Sequence, residues 1–382
     1  MPTRILGVVD GAPFSPLTFS GISRRLFGAL RDRGSLTGAV DARYARRAAL
    51  ALSFHPDRRR WRQRYDSGSW PLAGPVRARR SAVARRRTAG LLPHSDAVLQ
   101  VGAYVDLVDA VRPRLSCSYH DGNLAAYLRR RDTLLDHSAP SVRRALDRER
   151  RLYERLDLIL PMSEWLRRSF IEDLGIDPEK VVAVGGGPNF DTLPEPPTER
   201  AWDRPRILFV GKGSWERKGG PELLRAFVEV RAAVPGAELW VVGQKLADAP
   251  PGVTAFGLMS RDTPEGERRV RRLYEEATAF VLPSHFEPYG VVLMEASAMG
   301  LPCVTTSGDG GAVEHVEDDV TGFVVPAGDA DALADRLVRL LVDPALAARM
   351  GAAARARLVE RSTWPAVADR IVAAIEARRA AT

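Results

Sequence analysis

Cysteine is almost missing from this 382-residue chain: Cys117 and Cys303 are the only two, each inside an apolar, strand-like run. Two thiols cannot build a disulfide framework or a cysteine-based zinc site, so both are expected to be small buried hydrophobes. Lysine is nearly as scarce, with four residues against 52 arginines. Long apolar runs are missing too. Nothing approaches the roughly 18 uninterrupted apolar residues of a membrane span, and Ile5–Val9 is too short for the core of a signal peptide, so a cytoplasmic protein is expected. There is no internal repeat and no low-complexity tract. With 45% apolar and 27% charged residues, wholesale disorder is excluded. At roughly 100–200 residues per domain, the length suits two well-cored domains rather than one small binding module.

The net charge of +8 is local. Between Ala42 and Gly90 fourteen arginines face only Asp57 and Asp66, so the rest of the chain is slightly acidic. Such a segment can grip phosphates, and the Arg-rich stretch 43–87 is expected to give peripheral contact with an anionic membrane at its inner face. The plain alternative is a solvated basic face, and nucleic acid is disfavoured because no nucleic-acid motif accompanies the charge.

Short β-branched runs alternate with longer amphipathic segments, the pattern of a parallel sheet covered by helices, and the fold class is α/β. In the first half Ile5–Val9, Ala97–Val101, Leu115–Tyr119, Leu158–Leu160 and Val181–Val184 read as strands. In the second half Ile207–Val210, Leu239–Val242, Ala279–Leu282, Cys303–Thr305 and Gly322–Val325 do the same. Helices are expected around Asp41–Leu52, Val76–Arg87 and Trp364–Arg379, with Trp70–Pro75 as a loop. The proline-rich stretch from Pro188 to Pro205 marks a linker and places a domain boundary there. Ligands of such sheets sit beyond the carboxyl ends of the strands, so a cleft between the two domains is the expected active site.

Two segments carry chemistry. The first, Phe209-Val210-Gly211-Lys212-Gly213-Ser214-Trp215-Glu216-Arg217-Lys218-Gly219-Gly220-Pro221, follows a strand and opens a helix with proline in its first turn. A glycine-rich turn, a helix N-terminus and two of the four lysines suit a phosphate, with an exposed turn as the bland reading. Neither a Walker loop nor a dinucleotide fingerprint is present. The second segment runs from Pro283 to Gly300. Its helix, begun near Gly290, is apolar on every side through Met299 and should be buried, with Glu295 its one ionisable group. A buried carboxylate needs strong donors: a ribose supplies them, and so does an internal salt bridge. Glu287 lies in the loop after the strand, where either a reacting group or a helix-capping acid belongs.

The Glu-x7-Glu spacing of Glu287 and Glu295, preceded by Lys212-x5-Lys218-Gly219, resembles the retaining glycosyltransferase family 4, also called glycosyl transferases group 1. The resemblance spans nearly all of Arg206 to Ala377 and fades in the first half. It implies the GT-B architecture: two Rossmann-like doubly wound domains with an inter-domain cleft. Residues 1–190 would form the acceptor-binding domain, residues 191–363 the donor-binding domain, and residues 364–382 a C-terminal helix returning to the first. Carried over, it implies that Lys212 and Lys218 hold the donor diphosphate, that Glu295 binds the ribose and that Glu287 contacts the transferred sugar. The backbone N–H groups of Tyr289, Gly290 and Val291 would meet the distal phosphate and sugar. Lys212 stands where the family usually has arginine, so a bidentate contact becomes a point charge. Gly308-Asp309-Gly310-Gly311 and Glu314 correspond to a loop on the nucleotide side.

In the first half, Gly21 lies where the family often has a Gly-Gly pair facing the phosphate, and His120 corresponds to a histidine near sugar and acceptor. The remaining histidines (His55, His94, His137, His285 and His315) show no pairing for a metal. The single Asp-x-Asp triplet, Asp329-Ala330-Asp331, opens a helix and reads as an N-cap. No metal and no cofactor beyond a nucleotide-sugar donor is therefore expected. The implied activity is transfer of a sugar from a nucleotide diphosphate sugar to an acceptor hydroxyl, with retention of configuration by front-face attack. Its alternatives are a nucleotide-sugar epimerase or phosphorylase-like enzyme of the same fold, or a non-catalytic scaffold that binds lipid or nucleic acid.

Overall fold

In a computed structural model of the chain, the described residues are 3–16, 18–43, 74–129, 139–261 and 263–381. They form two compact units, Met1–Gly185 with Trp364–Thr382, and Gly186–Thr363.

The first unit rests on five parallel strands: β1 (Ile5–Val9), β2 (Leu36–Asp41), β3 (Ala97–Val101), β4 (Leu115–His120) and β5 (Leu158–Pro161). Their order is β2-β1-β3-β4-β5. Every residue of β1, β3, β4 and β5 is buried. That burial is why these strands read as mostly apolar runs, interrupted only by small or buried polar residues such as Gln100, Ser116 and Ser118, since helices cover a parallel sheet on both faces. The edge strand β2 is only half-buried and contains Gly38, so its sequence carries no such signal. Helix α1 (Ile22–Asp32) connects β1 to β2, and α2 (Gly74–Thr88), α3 (Leu124–Leu128) and α4 (Ala139–Arg155) follow. Because the chain visits the edge at β2 and returns to β3 on the other side of β1, the strand order reverses between β1 and β3.

Three expectations change here. Val181–Val184 is not a strand: it makes one isolated bridge, Val181 to Ile159, with Val184 N donating to the Pro161 carbonyl at 3.0 Å. Asp41 ends β2 instead of opening a helix, and 44–52 lie outside the described residues. Gly74 and Pro75, expected in a loop, begin α2, while 70–73 lie outside the described residues, as do His55 and His137.

The second unit holds six parallel strands: β6 (Arg206–Val210), β7 (Glu238–Val242), β8 (Val253–Gly257), β9 (Ala279–Leu282), β10 (Cys303–Thr306) and β11 (Gly322–Val325). Their order is β11-β10-β9-β6-β7-β8. The edge strand β8, unexpected from the sequence, alternates half-buried Val253 and Ala255 with exposed Thr254 and Phe256. Its helices are α5 (Gly220–Ala233), α6 (Pro264–Glu276), α7 (Val291–Ala298), α8 (Ala330–Val342) and α9 (Pro344–Arg361). In α7 every residue from Leu293 to Ala298 is buried, as its all-round apolar surface requires. The order reverses between β6 and β9, which brings the two loops singled out above side by side at one reversal point.

The proline-rich stretch is fastened to this second unit. Arg200 donates to the carbonyls of Tyr274, Glu275, Ala277 and Met299, capping the ends of α6 and α7 at 2.6–2.8 Å. Helix α10 (Trp364–Ala380) completes the first unit: Thr3 Oγ1 donates to Glu376 at 2.7 Å and Arg33 Nε to Asp369 at 2.8 Å. Cys117 and Cys303 are free and buried. Among the described residues no helix is long and apolar enough to cross a membrane.

Candidate active site

The turn after β6 is shaped from below by Gly243, so close that a Cβ would come within 2.7 Å of the Gly211 carbonyl carbon. Gln244 fixes it further, Nε2 donating to the Gly211 carbonyl at 2.7 Å and the Gly213 carbonyl at 3.0 Å. Lys212 stands exposed on this turn. The chain then turns through Gly219 (φ 71°), the N-cap of α5, and no side chain caps the helix start. The loop after β9 ends in the same way at Gly290 (φ 76°), the N-cap of α7, again without a side-chain cap. Two helix N-termini therefore flank the β6/β9 reversal point with their first N–H groups uncapped by side chains, an arrangement that favours anions.

The two loops are stitched together. His285 N donates to the Arg217 carbonyl at 2.9 Å, and the Arg217 guanidinium donates to the Phe286 carbonyl. Lys218 is 6% exposed, and its Nζ donates to Glu287 Oε2 at 2.6 Å. Arg217 Nη1 lies 3.7 Å from the same oxygen. Glu287 is thus held by two cations on the opposite loop. A third segment closes on it: Glu287 N donates to the Asp309 carbonyl at 3.1 Å and Gly311 N to the Pro288 carbonyl at 3.0 Å. Tyr289 is buried edge-on to His315, whose Nε2 donates to the Tyr289 carbonyl at 2.7 Å. Burial lowers the His315 pKa to about 4, so the ring is neutral.

Glu295 follows Val291 by four residues on α7 and is 2% exposed. Its Oε1 accepts from Arg261 Nη1 at 2.6 Å and its Oε2 from the Tyr274 hydroxyl at 2.8 Å. Arg261 also grips Glu267, with Nε donating at 2.7 Å and Nη2 at 2.8 Å. Burial alone would lower the Arg261 pKa, yet Glu295 and Glu267 hold it well above its ordinary value. The internal pair is therefore realised at Glu295, and each carboxylate oxygen keeps a second lone pair for another donor.

Gly21 and His120 belong to the first unit. Gly21 (φ 86°) is the N-cap of α1, which also lacks a side-chain cap. His120 ends β4, 2% exposed, with Tyr153 and Phe170 edge-on at ring distances of 5.4 and 5.3 Å. Burial lowers its pKa to about 3, and Nε2 has no hydrogen-bond partner among the described residues. At the β1/β3 reversal of the same unit, Arg80 (1% exposed) pairs with Asp10 at 2.6 Å. So the Arg-rich segment is not uniformly solvated: Arg80 is buried and Arg43 pairs with Asp41 at 2.7 Å, while Arg58–Arg64 lie outside the described residues. Asp329 caps α8, accepting from Ala332 N at 2.9 Å, and no group of three His, Cys, Asp or Glu among the described residues could hold a metal.

Sequence reasoning missed Gln244, Arg261 and the bridging part of Arg217. Gln244 follows a strand and a glycine, a signal of a turn facing the site. Arg261's link to Glu295 carried no local signal, because that partner lies 34 residues away.

Comparison with known proteins agrees with this fold. Residues 204–343 match the family model of Glycosyl transferases group 1. The phosphatidyl-myo-inositol mannosyltransferase of Mycobacterium leprae is 33% identical over 226 residues, 57% of this chain and 58% of that protein. The glycogen synthase of Mycobacterium tuberculosis is 34% identical over 174 residues, 42% and 40% of the two chains. The chain spans about half the length of the curated relatives it matches. Among solved structures, sucrose-phosphate synthase from Thermosynechococcus elongatus superposes with a TM-score of 0.70 at 17% identity, covering 99% of this chain and 100% of that one. HepE of Anabaena in complex with UDP-glucose superposes at 0.63 and 16%, covering 98% and 99%. The match to the glycosyl transferases group 1 model is thus confined to residues 204–343, and the chain's two Rossmann-like units have the GT-B fold.

Proposed function

We propose that the protein transfers a hexosyl unit from a nucleotide diphosphate sugar to an acceptor hydroxyl, with retention of configuration and without a metal. The observation that carries this reading is the convergence of Lys218, Arg217 and Glu287 between two uncapped helix N-termini at the β6/β9 reversal. Leaving-group charge develops on a diphosphate, and preorganised cations and N–H groups aimed at such charge are often the largest catalytic effect. Lys218 and Lys212 neutralise the diphosphate, and the N–H groups of Tyr289, Gly290 and Val291 receive its distal phosphate and the sugar. Glu295 takes the ribose hydroxyls through its remaining lone pairs, and Glu287 orients the sugar. His120, kept neutral by burial and with Nε2 unfilled, meets a sugar or acceptor hydroxyl. The departing phosphate accepts the acceptor proton, so no separate carboxylate base is required. A neighbour bound to UDP-glucose and relatives named for mannosyl transfer support a nucleotide-sugar donor; peripheral contact of the basic 43–87 segment with an anionic membrane is part of the same proposal and rests on its charge alone.

The test is turnover of a panel of UDP- and GDP-hexoses by the full chain, with and without chelator. Nucleoside diphosphate released with an α-configured product from an α-configured donor supports the reading. Isomerisation of the donor without acceptor points instead to an epimerase.

A further inference from the structure

Two helices of the first unit carry arginine at helical spacing. Arg77 and Arg85 stand eight residues apart on α2, and Arg148, Arg151 and Arg155 follow at intervals of three and four on α4. All five line a single cavity of about 430 Å³. Among the described residues Asp106 is the one acidic residue in that lining, and it is already taken: Arg155 Nη1 holds it at 2.9 Å while Nη2 holds Asp109 at 2.5 Å. Arg77 Nη2 is buried and has no hydrogen-bond partner among the described residues. Burial, together with Arg77, Arg144 and Arg151, holds the Arg148 pKa below its ordinary value, so the cations of this cavity disfavour one another.

A convex basic surface spreads its guanidinium groups into water, whereas this half-open hollow gathers five of them around Asp106, with Glu149 facing Arg77 and Asp147 facing Arg148 as the further acids. We propose that the cavity between α2 and α4 is an anion site that takes a phosphate-bearing ligand, held by Arg77, Arg85, Arg148 and Arg151. Planar guanidinium forks match phosphate oxygens two at a time, which suits a dianionic monoester or the phosphodiester of a lipid headgroup. The volume falls within the roughly 300–1,000 Å³ of small-molecule sites, so it holds a phosphate together with the group it esterifies. Taking this ligand as the acceptor rests on the transfer reading above; the binding itself does not.

The test is calorimetry on the full chain with inorganic phosphate, a hexose 6-phosphate and the unphosphorylated hexose, alongside sedimentation with phosphatidylglycerol or phosphatidylcholine vesicles. The hexose phosphate or the anionic vesicles should bind, and the neutral probes should not. Replacing exposed Arg151 (R151Q) should weaken binding several-fold, and R77Q/R151Q at least tenfold, with R269Q in the second unit as an unchanged control. Melting curves confirm that each variant is folded, and R151Q keeps the test valid if the double variant is not. Binding confined to the ester or to the vesicles keeps the site and names its source. Absence of binding by every phosphate probe, or binding unchanged in both variants, would overturn it. Because binding is read without transfer, a chain inert toward nucleotide sugars can still show it.

Discussion

Lys218 Nζ and Glu287 Oε2 lie 2.6 Å apart across two loops separated by 69 residues of sequence. Family resemblance gives them different duties, phosphate for one and sugar for the other, yet without donor each neutralises its partner. The pair fixes both side chains, and a donor diphosphate bound as proposed would compete with an internal carboxylate for the ammonium.

Glu287→Gln removes that competitor from Lys218 and Arg217. Affinity for the free nucleoside diphosphate, read by calorimetry, should rise a few-fold because two cations lose their counter-charge. Turnover of the intact donor should nevertheless drop about 10²-fold, because the sugar loses a charge-assisted contact. Weaker diphosphate binding would show that Glu287 supports the cations rather than masking them.

Arg261→Ala leaves Glu295 buried with only Tyr274 as donor. Removing one partner of a buried ion pair costs about 3–5 kcal/mol, so the urea midpoint should move sharply down. Glu295→Gln should cost less, since Arg261 keeps Glu267. Equal midpoints for Arg261→Ala and the parent chain would show that the pair is not maintained in solution.

His120 fixes an acid limit to stability. Its folded pKa, about 3, lies below the roughly 6.5 of an unfolded histidine, so between those values the unfolded chain binds the extra proton. The contribution is full above about pH 6.5 and is lost as the pH falls toward 3, by about a factor of ten in the folding constant per pH unit. His315, with a folded value of about 4, adds a slope of the same sign. Denaturation of His120→Asn at a series of pH values should give a shallower acid slope than the parent. Parallel slopes would mean that the imidazole is solvated.

Gly290→Ala tests the start of α7. The backbone there is left-handed (φ 76°), and a Cβ would sit 2.9 Å from Ala312 Cβ. Strain of about 1–2 kcal/mol is expected, with displacement of the segment that packs on Glu287. Turnover should fall more than tenfold while the melting temperature drops by only a few degrees, as followed by donor hydrolysis and circular dichroism.

Most of this architecture was legible because parallel strands buried on both faces are predominantly apolar, as β1, β6 and β9 are, and β3 and β4 keep enough apolar and β-branched character around Gln100, Ser116 and Ser118 to be read the same way. Edge strands escape that constraint: β2, with Gly38 and Asp41, and β8, with exposed Phe256, have only one protected side. Val181–Val184 has strand composition but lies beside β5 with a single bridge, a difference that depends on neighbours and not on propensity. At the site, Lys218, Glu287 and Gly290 were visible as local motifs after strands. Arg261 and the clustered arginines of α2 and α4 were not, because their meaning comes from partners distant in sequence.

The central claim is that Lys218 neutralises the diphosphate as the sugar departs, and turnover of a nucleotide hexose by Lys218→Ala tests it most directly. A fall of about 10²–10³-fold, with the far-UV spectrum and cooperative melting retained, is the predicted result. Turnover within a few-fold of the parent would contradict it.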